Sequence, residues 1–172
     1  MSIGLNRMYP HTAYISVGSN LGAKLDNCRN GIAALTRSAD IQFIDQSPIY
    51  RTEPVDYQDQ DWFVNYVVKI ETNFDPLTLL DFIKSIEHAA GRVRDAIRFG
   101  PRVLDLDIIL YDDVVLDDLR LTIPHPRMHK RRFVLIPICD IDPDINHPVL
   151  QRTMSSLLEN LAEKGQRITE YR

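Results

Sequence analysis

The chain has 172 residues, of which 44% are hydrophobic, enough for one domain that buries about two thirds of its unfolded surface without a disulfide or metal framework. Its two cysteines, Cys28 in a helical pattern and Cys139 in an apolar run, read as packed, reduced thiols. A net charge of −4 argues against a general nucleic-acid binder, and with no leader pattern and no apolar run near the ~20 residues of a membrane span, a soluble cytoplasmic protein is expected.

Residues 1–10 read as an arm without a role and 11–172 as a single domain. Ala13–Val17 is a strand, and Gly18–Gly22 (GSNLG) is a turn in which Ser19 or Asn20 caps the next helix; it lacks the Gly-Lys-Ser/Thr ending of a phosphate loop. Leu25, Cys28, Ile32 and Leu35 recur at helical spacing. Ile41–Tyr50 alternates as a second strand and Val64–Glu71 as a third. Between them RTEPVDYQDQDW is too long for a hairpin turn, and loops of that length are often functional. Asp75 followed by Pro76 starts a second helix that stops at Gly91, and Leu104–Tyr111 is a fourth strand. The order βαββαβ predicts an α+β, ferredoxin-like sandwich with helices on one face of an antiparallel sheet. C-terminal additions follow: an extension over Val114–Ile123, a basic stretch, an apolar helix over Phe133–Cys139 and a last helix over Met154–Lys164.

The fourth strand carries the chemistry. Side chains alternate along a strand, so Asp105 and Asp107 share a face with their Cα atoms about 6.6–7 Å apart, and Ile109 and Tyr111 should continue that face. This spacing suits one divalent ion between the carboxylates, or two ions about 3.5–4 Å apart. The plainer alternatives are a solvated polar strand face or a surface ion-pair cluster. Against them, nine of the 20 basic residues fall between Arg92 and Arg132. Carboxylates with arginine forks match a magnesium-bound polyphosphate, the acids holding metal and the guanidiniums holding phosphate oxygens. His125 and His129 stand at helical spacing, but without a nearby Cys or an HExxH pattern a phosphate or nucleotide contact suits them better than zinc. Trp62, Phe63, Tyr66, Phe99 and Phe133 are core by default, although Phe63 and Phe133 flank polar segments and suit the sandwiching of a flat ring.

The runs GPRVLDLDI and IPHPRMHKRRFVL, together with AYISVGSNLG, SPIYRTEPV and DWFVNYVVKIET, resemble the 6-hydroxymethyl-7,8-dihydropterin pyrophosphokinases of folate biosynthesis over nearly the whole length. That resemblance implies the ferredoxin-like fold and transfer of pyrophosphate from ATP to the pterin hydroxymethyl group, giving AMP and the pterin diphosphate. It implies two Mg2+ ions on Asp105 and Asp107, with Arg92 and Arg94 as catalytic arginines of a mobile loop. Arg102 and Arg131 match phosphate-facing positions, and Glu87, Arg98, Arg120, Thr122 and His125 match positions in or near the ATP site. Phe63 and Phe133 match the pair that sandwiches the pterin; Asn65 matches the side chain on its edge, helped by backbone groups of Thr52, Pro54 and Val55. Phe99 stands where Trp is frequent and Pro126 where some members have Tyr. The expected partners are the two small-molecule substrates, with no nucleic acid and no membrane, for a monofunctional monomer. A ferredoxin-like RNA-binding module stacking bases on sheet aromatics is disfavoured, because paired aspartates repel phosphate unless metal is present. A silent pterin-binding homologue is disfavoured by the intact aspartates and arginines.

Overall fold

A computed structural model of the chain describes residues 9–55, 59–91, 100–161 and 166–171. Strand β1 (His11–Ser19) sets the parity on which the rest is built. Ala13, Ile15 and Val17 enter one core, while Tyr14, Ser16 and Gly18 face the other side. Helix α1 (Lys24–Leu35) covers the first face. It comes close at Gly31, where a Cβ would sit 2.7 Å from Leu104 Cδ2, so the absence of a side chain sets the packing distance.

The predicted second strand is two. β2 (Ile41–Gln46) and β3 (Tyr50–Thr52) are separated at Ser47-Pro48, where Pro48 has no N–H to continue a ladder. Ser47 ends β2 by exchanging hydrogen bonds with Val67 through both its backbone N–H (3.0 Å) and its hydroxyl, which accepts from Val67 N–H (3.1 Å). β4 (Phe63–Thr72) pairs with β1 along one edge. Its other edge carries β2 on the C-terminal half and β3 on the N-terminal half. Helix α2 (Pro76–Ala89) starts as expected: the Asp75 carboxylate accepts from Leu77 and Thr78 N–H at 3.0 and 3.1 Å, and Pro76 occupies the first turn.

β5 (Asp105–Tyr111) pairs with β1, and the sheet runs β5-β1-β4-β3 with every pair antiparallel. This is the ferredoxin-like βαββαβ arrangement. A register shift opposite Tyr14/Ile15 pairs Leu110 with Tyr14 and Ile108 with Ile15, leaving Ile109 as the extra residue of a bulge. Ile109 and Leu110 therefore both enter the second core and Tyr111 turns into the first. The expectation that Tyr111 shares the aspartate face is corrected by that one inserted residue.

A short hairpin, β6 (Leu116–Asp117) with β7 (Thr122–Ile123), leads to α3 (Arg132–Ile141) and α4 (Met154–Glu159). Helices do not cover one face alone. Val134, Leu135, Ile138, Met154 and Leu157 pack on Tyr14, Val67, Ile109 and Leu110, building a second core on the opposite side of the sheet. The last element is a strand absent from the sequence reading, β8 (Ile168–Glu170), antiparallel to β3. No helix among the described residues is long and apolar enough to cross a membrane.

Candidate active site

The second core stops short of the N-terminal end of β5, and the sheet face left there forms a pocket. Its floor comes from Ser16 and Gly18 of β1, Phe63 and Asn65 of β4, and Asp105, Asp107 and Ile109 of β5. Its walls come from Thr52–Val55, Gln60, Arg102, His125, Arg127, Arg131, Phe133, Val134 and Gln166. Strand parity thus brings both aspartates to the face that the sequence pattern predicts, opposite Gly18 and Ser16 in register.

The two carboxylates differ. Asp105 Oδ2 accepts from Arg102 Nη1 at 2.7 Å. No described residue hydrogen-bonds or ion-pairs with the Asp107 carboxylate. Burial, followed by the charge of Asp105, raises the Asp107 pKa above the ordinary carboxylate range, with Lys84 pulling it down and Glu87 pushing it up. A recessed pair of hard oxygen ligands, of which Asp107 has no direct counter-ion among the described residues, fits magnesium, which takes one or two protein carboxylates and leaves its other positions to phosphate oxygens and water.

Arg102 is itself held in place. Its N–H donates to Asn20 Oδ1 at 2.7 Å and its carbonyl accepts from Asn20 N–H at 3.0 Å. The Asn20 amide then donates to Gln60 Oε1 (2.9 Å) and to the Asp61 carbonyl (3.2 Å). The GSNLG turn therefore joins the pocket loop to the strand entry. It does not cap α1, whose N-cap Ala23 makes no side-chain cap bond.

His125 N–H donates to the Ile109 carbonyl at 2.9 Å, and its Nδ1 accepts from Arg127 N–H at 3.2 Å, which puts the ring proton on Nε2. Burial first, then Arg131 and Arg127, pushes its pKa down to about 4. The His125/His129 pair does not form a shared site. The His129 ring instead lies edge-on to His147 at 5.9 Å.

At the other end Phe63, in the first position of β4, and Phe133, in the first turn of α3, both line the pocket. Asn65 Nδ2 donates to Thr52 Oγ1 at 2.6 Å, a buried bond that fixes the amide. Gly18 permits this: a Cβ there would come within 2.6 Å of Asn65 Oδ1. The Arg131 guanidinium lies 5.4 Å from the Phe133 ring centroid, linking the cationic end to the aromatic one.

Three expected nucleotide residues are not among those lining the pocket. The Glu87 carboxylate is buried beneath β5, accepting from Leu106 N–H at 2.7 Å and from Lys84 Nζ at 2.9 Å, so it braces the aspartate strand from behind. Arg120 pairs with Asp81 at 3.0 Å on the exposed hairpin, and Thr122 belongs to β7. Arg92, Arg94 and Arg98 lie outside the described residues. Sequence reasoning missed Ser16 and Gly18, whose parity with Asn65 was the available signal, and Gln166, for which there was none.

Known proteins align with this chain as follows. The family model for 7,8-dihydro-6-hydroxymethylpterin-pyrophosphokinase matches residues 14–143. The chain is 40% identical over 152 residues to the 2-amino-4-hydroxy-6-hydroxymethyldihydropteridine pyrophosphokinase of Haemophilus influenzae, covering 88% of this chain and 94% of that protein. It is 41% identical over 156 residues to the folic acid synthesis protein fol1 of Schizosaccharomyces pombe, covering 91% of this chain. It spans only 21% of that longer relative. A Plasmodium falciparum HPPK-DHPS crystal structure superimposes with a TM-score of 0.71 at 16% identity, over 87% of this chain and 44% of that one, a likeness of fold.

Proposed function

Because the chain belongs to the 7,8-dihydro-6-hydroxymethylpterin-pyrophosphokinase family, we propose that it transfers pyrophosphate from ATP to the hydroxymethyl group of 6-hydroxymethyl-7,8-dihydropterin. The products are AMP and the pterin diphosphate, a step of folate biosynthesis. The observation that carries this reading is the Asp107 carboxylate, unpartnered among the described residues beside Asp105, at one end of a pocket whose other end is aromatic.

Phe63 and Phe133 hold the flat pterin ring, and Asn65, oriented by Thr52, reads its hydrogen-bonding edge, with the backbone of Pro54 and Val55 completing that wall. Arg102 and Arg131 meet phosphate oxygens. His125, neutral at physiological pH, donates from Nε2 without adding a charge. Asp105 and Asp107 would hold two magnesium ions, which would supply charge stabilisation to the transferring β-phosphoryl group. Arg92, Arg94 and Arg98 serve as further phosphate ligands by family resemblance, and Arg120 and Thr122 approach the nucleotide from the hairpin. Glu87 acts through Leu106, holding the aspartate strand in place. A cytoplasmic monomer belongs to the same proposal.

Calorimetric titration tests the reading. A non-hydrolysable ATP analogue should bind only with magnesium, and the reduced pterin should bind the resulting complex one to one. Nucleotide binding that is unchanged by chelating the metal would overturn it.

A further inference from the structure

The matched family region ends at residue 143, yet one pocket-lining side chain, Gln166, comes from beyond it. Gln166 immediately precedes the segment that runs into β8, which pairs with β3 through Thr52↔Ile168, Arg51↔Thr169 and Tyr50↔Glu170. Five hydrogen bonds fasten this segment to the pocket loop at one residue, Glu53. Gln166 Nε2 donates to the Glu53 carbonyl at 2.7 Å. Glu53 N–H donates to the Arg167 carbonyl at 3.0 Å. The Arg167 guanidinium donates to Glu53 Oε1 at 3.0 Å and to Oε2 at 3.5 Å, and the Arg167 N–H donates to Oε2 at 3.2 Å.

They differ in their consequences. The Arg167 pair is exposed, with 72% of the arginine side chain accessible, and solvent screens it. The backbone bond extends the ladder and serves the fold. The Gln166 bond joins a side chain on the pocket wall to a backbone carbonyl of the same wall. The Glu53 carbonyl it holds lies between Thr52, which orients Asn65, and Pro54 and Val55, which form the ring end. No other hydrogen bond of the Gln166 amide is made by a described residue, so its second N–H and its carbonyl remain available at the wall.

We infer that Gln166 is a positioning residue for the flat-ring substrate: by holding the Glu53 carbonyl it fixes the 52–55 wall against which the ring's polar edge is read. The inference rests on the pterin reading of this pocket. It assigns the C-terminal strand a role in substrate affinity and not only in closing the sheet. Because the bond lies at the ring end, its loss falls on the pterin and not on the nucleotide.

The test uses the full chain with Gln166→Ala and Gln166→Met, the second keeping the bulk but not the donor. Pterin affinity is measured by titration in the presence of magnesium and a non-hydrolysable ATP analogue, and nucleotide affinity separately. Both variants should bind pterin about fivefold to tenfold more weakly, the scale of one lost hydrogen bond. Nucleotide affinity should stay at the wild-type value, the apo thermal midpoint should fall by no more than about 2–4 °C, the scale of one intramolecular hydrogen bond, and turnover should recover at saturating pterin, a KM effect without a kcat effect. Wild-type pterin affinity in the methionine variant would overturn the inference, leaving the side chain as filler, and so would an equal loss for both ligands. Failure of the functional reading looks different: the wild-type chain itself would bind no pterin.

Discussion

Replacing Asp107 by Asn should make the protein more stable and nearly inactive. Ionised, this recessed carboxylate faces Asp105 across one strand repeat with no counter-ion contact from a described residue, an arrangement worth about 1–2 kcal/mol of destabilisation. Its removal should raise the apo melting midpoint by ~3–6 °C for a chain of this size. The sign with pH follows from linkage. The folded pKa lies above the unfolded one, so the wild type loses stability relative to the variant as pH rises from the ordinary carboxylate value through the raised folded value. The gap should be small near pH 4 and full at pH 7. Asp105→Asn is the contrast, because it surrenders the 2.7 Å contact with Arg102, worth about 1 kcal/mol for a half-buried pair, while relieving Asp107; the net change should be near zero. Magnesium with ATP should stabilise the wild type and leave Asp107→Asn unmoved, since only the state that binds is stabilised. Turnover should fall at least ~10³-fold in either variant, the loss of several kcal/mol of transition-state stabilisation. Differential scanning calorimetry of the apo proteins at pH 4 and 7, paired with magnesium-dependent turnover, decides the matter. A lower apo midpoint for Asp107→Asn, or retained turnover, would refute the reasoning.

Phe63→Ala and Phe133→Ala should each weaken pterin binding by roughly 1–3 kcal/mol, the scale of ring stacking, with ATP binding nearly unchanged; equal losses in separate titrations would return both rings to the core. The His125 imidazole should stay neutral in the apo protein down to about pH 4, followed by NMR. Because its folded pKa is depressed, it contributes stability that is present above the unfolded value and lost as pH falls toward 4. Titration of this ring near pH 6.5 would contradict the burial and arginine contacts assigned to it.

What could be read from the sequence was whatever depends on period and on local chemistry. Two-residue alternation placed Asp105 and Asp107 on one face, and Asp75-Pro76 marked the start of α2 to the residue. Features set by distant partners could not be read. The bulge at Ile109 arises from β1 pairing and moves Tyr111 to the opposite core. The break at Ser47 depends on Val67, twenty residues on in the chain. Asn20 looked like a helix cap because a turn precedes a helix there; its partners prove to be Gln60, Asp61 and Arg102. Glu87 is placed near the ATP site by family resemblance alone, and its position behind the strand depends on a bond to Leu106 N–H, nineteen residues on. β8 has only three residues and no strong alternation, and its strand state comes from the exposed edge of β3.

The most direct test of the proposed activity is the identity of the nucleotide product. The chain is incubated with ATP, magnesium and 6-hydroxymethyl-7,8-dihydropterin, and the products are resolved by phosphorus NMR. Attack at the β-phosphorus predicts AMP and pterin diphosphate in equal amounts, with no product when magnesium is chelated. ADP formed in step with a pterin monophosphate would contradict the account.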